Sequence, residues 1–276
     1  MNKTIVSVKW LNNNLSDKNL IILDASPDSN VSGLSASEDE KSIPKSRHFD
    51  IKKNFSNKKS PFPNTVPSPQ QFEEECRVLG INNSSKIVVY DNLGIYSSPR
   101  VWWLFNVMGH DNVSVLNGGF NEWIRQNYNT VLKSELEIDY DRGEFVSQFQ
   151  QEFVITYEDV LQNIELESFE IVDARSEGRF SGVAKEPRVH LKSGSIPNSK
   201  NIPYQLLMEN GKFKSKEKLR EIFIDRLKDS EKLVFSCGSG LTACIVMLAS
   251  ELAFKKSTYL YDGSWTEYAE LQNLKT

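Results

Sequence analysis

Short apolar runs alternate with amphipathic stretches along the chain, and the alternation occurs twice. Apolar runs of this kind predict buried parallel strands, because a strand covered on both faces has no polar side. The predicted strands are Leu20–Asp24, Ile87–Tyr90, Val113–Leu116, Ile171–Asp173, Leu233–Ser236 and Thr258–Tyr261. The clearest predicted helices are Ser68–Leu79, Pro99–Met108 and Thr242–Leu252. Strands that alternate with helices predict an α/β fold, in which helices cover both faces of a parallel sheet.

Four sequence blocks of the first half recur in the second half in the same order. The pairs are ILDAS (Ile22–Ser26) with IVDAR (Ile171–Arg175), SIPKSRHFDI (Ser42–Ile51) with SIPNSKNIPY (Ser195–Tyr204), IVVYD (Ile87–Asp91) with LVFSC (Leu233–Cys237), and LNGGFNEW (Leu116–Trp123) with YDGSWTEY (Tyr261–Tyr268). A repeat separation of 145 to 153 residues is typical of tandem domains and far exceeds a solenoid period. We therefore predict domains at residues 1–133 and 153–276, joined by a charged linker at residues 134–152.

Composition argues against nucleic-acid binding, membrane insertion and a disulfide-rich or metal-binding protein, but it does not indicate which reaction an enzyme of this composition would catalyse. The 276 residues include 33 Lys and Arg against 37 Asp and Glu, and this net charge of -4 does not indicate a nucleic-acid or anionic membrane partner. No apolar run approaches the roughly 18 residues of a membrane helix, and Met1–Trp10 is not typical of a signal peptide. Three scattered cysteines suit neither a disulfide framework nor a metal site, so we expect a reducing, cytoplasmic location.

Cys237 is the strongest candidate for chemistry. It follows the predicted strand Leu233–Ser236 directly, and ligands of open parallel sheets bind at the carboxyl ends of strands. The loop after it contains Gly238, Ser239, Gly240, Leu241 and Thr242, and its two glycines permit a tight turn with bare backbone N–H groups. Such groups, together with the following helix, would favour a thiolate or a persulfide anion. A buried structural cysteine is the alternative interpretation.

The corresponding position in the first half is Asp91, which cannot act as a sulfur nucleophile. We therefore predict that the first domain has no sulfur chemistry and serves a structural role.

The chain resembles the two-domain rhodanese-type sulfurtransferases over nearly its whole length, and it is most similar to the 3-mercaptopyruvate sulfurtransferases. The resemblance is carried by CGSGLTA at Cys237–Ala243, by the two SIP blocks and by YDGSW at Tyr261–Trp265. It implies two rhodanese-like α/β domains, of which the first is inactive and the second catalytic. It also implies sulfur transfer through a Cys237 persulfide, with no metal or organic cofactor, to cyanide or to a thiol acceptor such as thioredoxin.

Donor choice is predicted from charge. Relatives that use thiosulfate carry basic residues directly after the cysteine, whereas Gly238 and Ser239 are neutral, which favours 3-mercaptopyruvate. Arg179 and Arg188 match the arginine pair of the mercaptopyruvate-type enzymes, and guanidinium groups suit a planar 2-oxo acid because they form paired charge-assisted bonds. Ser239 is the candidate that assists the two arginines in stabilising the leaving enolate.

Two alternatives stay open and one is disfavoured. A thiosulfate sulfurtransferase would use the same persulfide, and a protein-to-protein sulfur relay would use Cys237 without a small donor. A cysteine phosphatase needs an arginine six residues after the nucleophile, and that position is Ala243. Some relatives place a histidine where this chain has Ser42, so we assign no Ser-His-Asp triad. The sequence fixes neither the physiological acceptor nor the oligomeric state.

Overall fold

The computed structural model describes residues 4–30, 33–36, 40–228, 230–254 and 257–276. The chain divides into two compact units. The first contains the residues up to Lys58 together with Val66–Gln150 and Asn210–Lys212, and the second contains Lys59–Thr65, Gln151–Glu209 and Phe213–Thr276. Met1–Lys3, part of the segment considered for a targeting signal, lie outside the described residues. Among the helices described, none has the length and apolar character needed to cross a bilayer.

The first unit is built on a five-stranded parallel sheet with the strand order β1-β6-β5-β2-β4. Its strands are β1 (Ile5–Val6), β2 (Leu20–Asp24), β3 (Lys41–Ser42), β4 (Ser46–His48), β5 (Lys86–Tyr90), β6 (Val113–Leu116) and β7 (Val131–Leu132). Its helices are α1 (Val8–Asn14), α2 (Pro69–Val78), α3 (Ser98–Val107) and α4 (Gly119–Arg125). The short strands β3 and β7 pair with each other in antiparallel fashion, outside the main sheet.

Helix α2 illustrates how local sequence sets the elements of this unit. The Ser68 hydroxyl accepts the amide of Gln71, Pro69 occupies the first turn, and Gly80 follows the helix with φ +63°. Phe72 and Cys76 face inward from α2 and are fully buried. The predicted helix Ser68–Leu79 is therefore confirmed, with Ser68 and Leu79 as its capping residues.

The second unit repeats the architecture with a five-stranded parallel sheet in the order β10-β9-β13-β14-β8. Its strands are β8 (Val154–Ile155), β9 (Glu170–Asp173), β10 (Lys200–Asn201), β11 (Met208–Glu209), β12 (Lys212–Phe213, of which Lys212 belongs to the first unit), β13 (Lys232–Ser236) and β14 (Ser257–Tyr261). Its helices are α5 (Tyr157–Leu166), α6 (Glu177–Phe180), α7 (Lys216–Arg226), α8 (Ala243–Ala253) and α9 (Ser264–Leu271). The predicted α/β fold with two parallel sheets is confirmed.

The order of the strands fixes where each unit can hold a ligand. In the second unit, the chain runs from β9 outward to β10 on one side, and from β13 through α8 to β14 on the other. The carboxyl ends of β9 and β13 therefore flank the point at which the connections diverge, which is the usual ligand position in such sheets. Cys237 directly follows β13, and Asp91 directly follows β5 at the same point of the first sheet.

The segment predicted as a linker, residues 134–152, contains a buried residue of the first unit. Phe145 is fully buried, and its ring packs edge-on against Phe72 and Phe105. The Arg77 guanidinium donates to the Phe145 carbonyl oxygen at 2.9 Å. Gly143 also approaches the backbone of Ile81 so closely that a Cβ would lie 2.2 Å from the Ile81 oxygen. Most of this stretch therefore packs as part of the first unit, up to Gln150.

Candidate active site

The loop after β13 brings Cys237 to the centre of the second sheet's carboxyl edge. Cys237 is 2% exposed, and its carbonyl oxygen accepts the amide of Trp265 at 3.0 Å. The next carbonyl, that of Gly238, accepts both the amide of Thr266 at 3.1 Å and its hydroxyl at 2.5 Å. The start of α9 thus holds the first two residues of the loop. These bonds hold the main chain of Cys237 at the predicted ligand position.

Several backbone N–H groups of this loop have no protein acceptor. Gly240, at φ +75°, reverses the chain between β13 and α8. Within the described part of the chain, the amides of Ser239, Leu241, Thr242 and Ala243 donate no hydrogen bond to a protein atom. Buried or half-buried amides that lack a partner attract an anion, and the positive end of the α8 dipole adds to this attraction. The predicted anion cradle after Cys237 therefore has the necessary donors.

Arg179 and Arg188 both lie close to this loop. Arg179 belongs to α6, directly after β9, and its Nη2 would lie 2.9 Å from a Cβ placed on Gly238. Arg188 is half-buried. Burial lowers the pKa of the Arg188 guanidinium. Electrostatic interactions with Cys237 and Glu186 oppose that decrease, and the charge of Arg179 adds to it. The two predicted arginines are therefore brought together with the predicted nucleophile.

A buried acidic residue, Glu186, holds Arg179 in place, and sequence reasoning did not single it out. Its carboxylate accepts from Arg179 Nε at 3.1 Å and from Nη2 at 2.6 Å. It also accepts from Arg175 Nη1 at 2.8 Å, while Arg175 is bound in turn by Asp173 through Nε and Nη2. The Arg175 guanidinium lies 4.5 Å from the Trp265 ring centroid. One signal in the sequence could have indicated this network. The first repeat has Ser26 in ILDAS where the second has Arg175 in IVDAR, and a buried arginine needs an acidic partner.

Asn64 is a second contact that the sequence did not reveal. Its amide nitrogen donates to the Ser239 hydroxyl oxygen at 3.1 Å and to the Ser239 carbonyl at 3.2 Å. Asn64 belongs to a proline-rich stretch that reads as an ordinary surface loop, yet residues 59–65 pack with the second unit. The Ser239 hydroxyl oxygen accepts this bond. Among the described residues no protein atom accepts the Ser239 hydroxyl proton, so the hydroxyl can donate to a bound substrate.

Ser42, which stands where some relatives have a histidine, is buried inside the first unit. Ser42 is fully buried, and its hydroxyl hydrogen-bonds Tyr90 at 2.6 Å, Ser46 at 2.8 Å and Asp24 at 3.3 Å. Burial raises the pKa of the Tyr90 hydroxyl well above its usual range, so Tyr90 stays neutral in this cluster. These contacts complete the hydrogen-bonding capacity of Ser42 within its own unit.

Comparison with known proteins gives matches along almost the whole chain. The family model of the rhodanese-like domain matches residues 7–126 and again residues 156–271. The chain is 38% identical over 276 residues to the 3-mercaptopyruvate sulfurtransferase of Mus musculus, covering 96% of this chain and 92% of that protein. Identity and coverage are the same for the thiosulfate sulfurtransferase of Cricetulus griseus.

A solved structure supports the same similarity in three dimensions. The crystal structure of SseA from Escherichia coli, described as a 3-mercaptopyruvate sulfotransferase, superposes with a TM-score of 0.81. Identity is 33%, and the match covers 95% of this chain and 99% of that one. The similarity therefore extends over both units and includes relatives of both donor classes.

Proposed function

Because this chain belongs to the rhodanese family, we propose that it is a sulfurtransferase that takes sulfur from 3-mercaptopyruvate. Cys237 carries the sulfur as a persulfide and passes it to a thiol or to cyanide. The observation that carries this proposal is the loop after β13. Among the residues that the structure describes, the amides that follow Cys237 have no protein acceptor, and two arginines flank the loop.

The Asp91 loop of the first unit supports the persulfide step, because its carboxylate oxygens correspond in position to the outer sulfur of a Cys237 persulfide. The Asp91 carboxylate accepts the amides of Leu93, Tyr96, Ser97 and Ser98 at 2.9–3.1 Å and the Ser98 hydroxyl at 2.7 Å. Each carboxylate oxygen lies two bonds beyond Cβ, and the outer sulfur of a cysteine persulfide lies two bonds beyond Cβ as well. A persulfide anion on Cys237 would thus reach its own loop amides as Asp91 reaches those of the first unit.

Sulfur transfer starts when the Cys237 thiolate attacks the sulfur of the donor. A sulfur–sulfur bond forms, the carbon–sulfur bond breaks, and its electron pair leaves with the carbon fragment as the enolate of pyruvate. The donor's thiol proton is transferred to the enolate carbon, which gives pyruvate and the Cys237 persulfide anion. Arg188 and the free hydroxyl proton of Ser239 are the groups that would stabilise charge on the enolate oxygen.

The second half of the cycle restores the enzyme. An acceptor thiolate attacks the outer sulfur, the persulfide bond breaks, and Cys237 leaves as a thiolate with the electron pair. Cyanide accepts the same sulfur atom and gives thiocyanate. We propose a small thiol or a dithiol protein of the thioredoxin class as the acceptor, and the cytoplasm as the compartment.

Donor preference follows from the charges beside the nucleophile. Gly238 and Ser239 carry no charge, and Arg179 Nη2 would lie 2.9 Å from a Cβ at position 238. The positive charge is supplied instead by Arg179 and Arg188, which suit a 2-oxo carboxylate. This arrangement favours 3-mercaptopyruvate over thiosulfate.

The test compares both donors on the purified protein, with cyanide as acceptor and thiocyanate as readout. We expect a higher kcat/KM for 3-mercaptopyruvate and complete loss of turnover in Cys237→Ser. Cys76→Ser is the matched control, because Cys76 is buried in the first unit. A preference for thiosulfate would contradict the donor proposal. Absence of turnover with both donors, together with single-turnover transfer from a persulfidated protein, would favour a relay.

A further inference from the structure

Ser264 occupies a conformation that costs energy for a serine. It is the first residue of α9, it is fully buried, and its φ is +53°. This left-handed region is unfavourable for a residue with a Cβ and is normally occupied by glycine. A serine held there needs compensation from its surroundings.

The compensation comes from hydrogen bonds between the Ser264 hydroxyl and the Cys237 loop. Its oxygen accepts the amide of Cys237 and the amide of Gly240, each at 3.1 Å. Its proton is donated to the Tyr261 carbonyl oxygen at 2.9 Å. A hydroxyl can donate once and accept twice, so all three capacities are used. One oxygen atom therefore ties together both ends of the turn that follows the nucleophile.

The repeat shows what the same position does without a hydroxyl. The block LNGGFNEW places Gly119 where YDGSWTEY has Ser264, and Gly119 also has a positive φ, +56°. A Cβ on Gly119 would lie 2.0 Å from the Gly94 carbonyl oxygen and 2.5 Å from that of Asp91. The loop of the first unit therefore lies directly against a glycine, and its amides are organised by the Asp91 carboxylate.

We propose that Ser264 is a positioning residue that gives the Cys237 loop its shape independently of the side chain at position 237. In the first unit the shape depends on the side chain of Asp91, which uses up the loop amides. In the second unit Ser264 takes only the amides of Cys237 and Gly240. Four other amides then remain available to the Cys237 thiolate and to the persulfide anion: those of Ser239, Leu241, Thr242 and Ala243. This inference rests on the proposed persulfide chemistry.

The experiment uses Ser264→Gly and Ser264→Ala in the full-length protein. Both variants lose the hydroxyl and therefore its hydrogen bonds to the Cys237 loop. Glycine suits the positive φ whereas alanine keeps the backbone strain, so the two variants differ in stability. We expect turnover with 3-mercaptopyruvate to fall roughly 10- to 100-fold in both variants, because the nucleophile and the amides lose their alignment. KM should change less than kcat, since Arg179 and Arg188 remain.

A second readout does not require a sulfur donor. Alkylation of Cys237 by iodoacetamide is followed against pH, and peptide mass spectrometry separates Cys237 from Cys76 and Cys244. We expect the pH of half-maximal alkylation to rise in both variants, because fewer aligned amides stabilise the thiolate. Ser250→Ala is the matched control, since Ser250 is a buried serine of α8 whose hydroxyl has no hydrogen-bond partner among the described residues.

The two readouts separate the possible failures. Wild-type turnover and a wild-type alkylation profile in Ser264→Gly would overturn the inference, even if Ser264→Ala does not fold. A loss of turnover that only follows the unfolded fraction would also overturn it. If the wild-type protein does not use 3-mercaptopyruvate, the proposed donor fails, and the alkylation profile still decides the role of Ser264.

Discussion

The loop after β5 and the loop after β13 follow central strands of two sheets with equivalent strand order, but their first side chains use the loop amides differently. Asp91 supplies a carboxylate that accepts five hydrogen bonds from its own loop. Cys237 supplies a sulfur atom, and its loop is shaped from outside by Ser264. An anion site that contains its own carboxylate is a structural element. A loop that leaves several amides without a protein acceptor among the described residues can stabilise a reacting group.

The strands next to these loops differ in a second respect. After β2, the Ser26 amide donates to the Asp24 carboxylate at 2.9 Å, and no guanidinium reaches that carboxylate among the described contacts. After β9, Asp173 binds the guanidinium of Arg175, and Glu186 connects Arg175 to Arg179. The second unit therefore has a buried ion-pair network that presents an arginine to the nucleophile. The two units share a fold, and their sites differ in the residues that follow the central strands.

The largest effect is expected at the nucleophile itself. Cys237→Ser should lower kcat by at least about 10⁴-fold, because a serine hydroxyl is a far weaker nucleophile than a cysteine sulfur. Steady-state thiocyanate production measures the loss, and melting temperature checks that the fold is kept. Cys76→Ser should keep wild-type kcat despite being fully buried. Residual activity of more than one per cent in Cys237→Ser would mean that another group carries the sulfur.

Loss of the substrate arginine should have the next largest effect. Arg188→Ala should reduce kcat/KM for 3-mercaptopyruvate by roughly 10- to 100-fold, the equivalent of one charge-assisted hydrogen bond of about 1.5–3 kcal/mol. Arg188→Lys should recover part of this loss, because it restores the charge without the planar fork.

Arg125→Ala is the matched control for Arg188. Arg125 is a mostly exposed arginine of the first unit, paired with Glu122. We expect kcat/KM of the Arg125→Ala variant to equal that of the wild-type protein. If Arg188→Ala behaves like this control, the donor's carboxylate is held elsewhere.

The position of Arg179 should depend on the buried carboxylate of Glu186. Glu186→Gln keeps the size of the side chain but removes the charge that binds Arg179 at 2.6 Å and Arg175 at 2.8 Å. We expect kcat/KM for 3-mercaptopyruvate to fall about tenfold, the loss of one charged hydrogen bond.

Exposed Glu177, in the same short helix as Arg179, provides the control for Glu186. Glu177→Gln should leave kcat/KM unchanged. Equal values for the two variants would show that Arg179 does not need its buried partner.

The sequence predicted the elements of the fold and the loops well because these depend on local patterns. Apolar runs, glycine positions and the repeat located β5, β13 and the Cys237 loop, and they distinguished Asp91 from Cys237. Those features are readable because each strand is buried on both faces and each loop follows its strand directly.

Long-range contacts were not readable in the same way. Glu186 lies in an otherwise charged and exposed loop segment, and only the folded chain shows that it is buried between two arginines. Asn64 reaches Ser239 across 175 positions of sequence, and Phe145 completes an aromatic cluster from a segment without apolar periodicity. Such residues are selected by tertiary neighbours, and a pattern along the chain carries no trace of them.

Asp91 itself should matter for stability and not for catalysis. Asp91→Ala leaves several buried amides without an acceptor, which should cost about 2–4 kcal/mol and lower the melting temperature by roughly 5–10 °C. Asp91→Asn should cost less, since one acceptor oxygen remains. Asp141→Ala, an exposed aspartate of the same unit, serves as the control. An unchanged melting temperature in Asp91→Ala would refute the structural role of this carboxylate.

The smallest expected difference between the units is in their response to pH. In α2 of the first unit, the Ser147 amide donates to Glu73, and this bond lowers the pKa of the Glu73 carboxyl, helped by the Ser147 hydroxyl and Arg77. A lowered folded pKa stabilises the folded state above the unfolded pKa, and this contribution is lost as pH falls through the folded value. In α8 of the second unit, burial raises the pKa of Glu251, against the opposing bond from Thr258.

Ionisation of Glu251 changes the stability of the folded state in the opposite direction from that of Glu73. A raised folded pKa means that the folded state binds the proton more tightly, so ionisation of Glu251 costs stability as pH rises through the folded value. Glu251→Gln should therefore raise the melting temperature by at most a few degrees at pH 7 and leave it unchanged below about pH 4. Glu73→Gln should lower it at pH 7 and have no effect in acid. Hydrogen exchange of peptides from each unit assigns the changes, and a stabilising effect of Glu251→Gln that persists in acid would show that charge is not its cause.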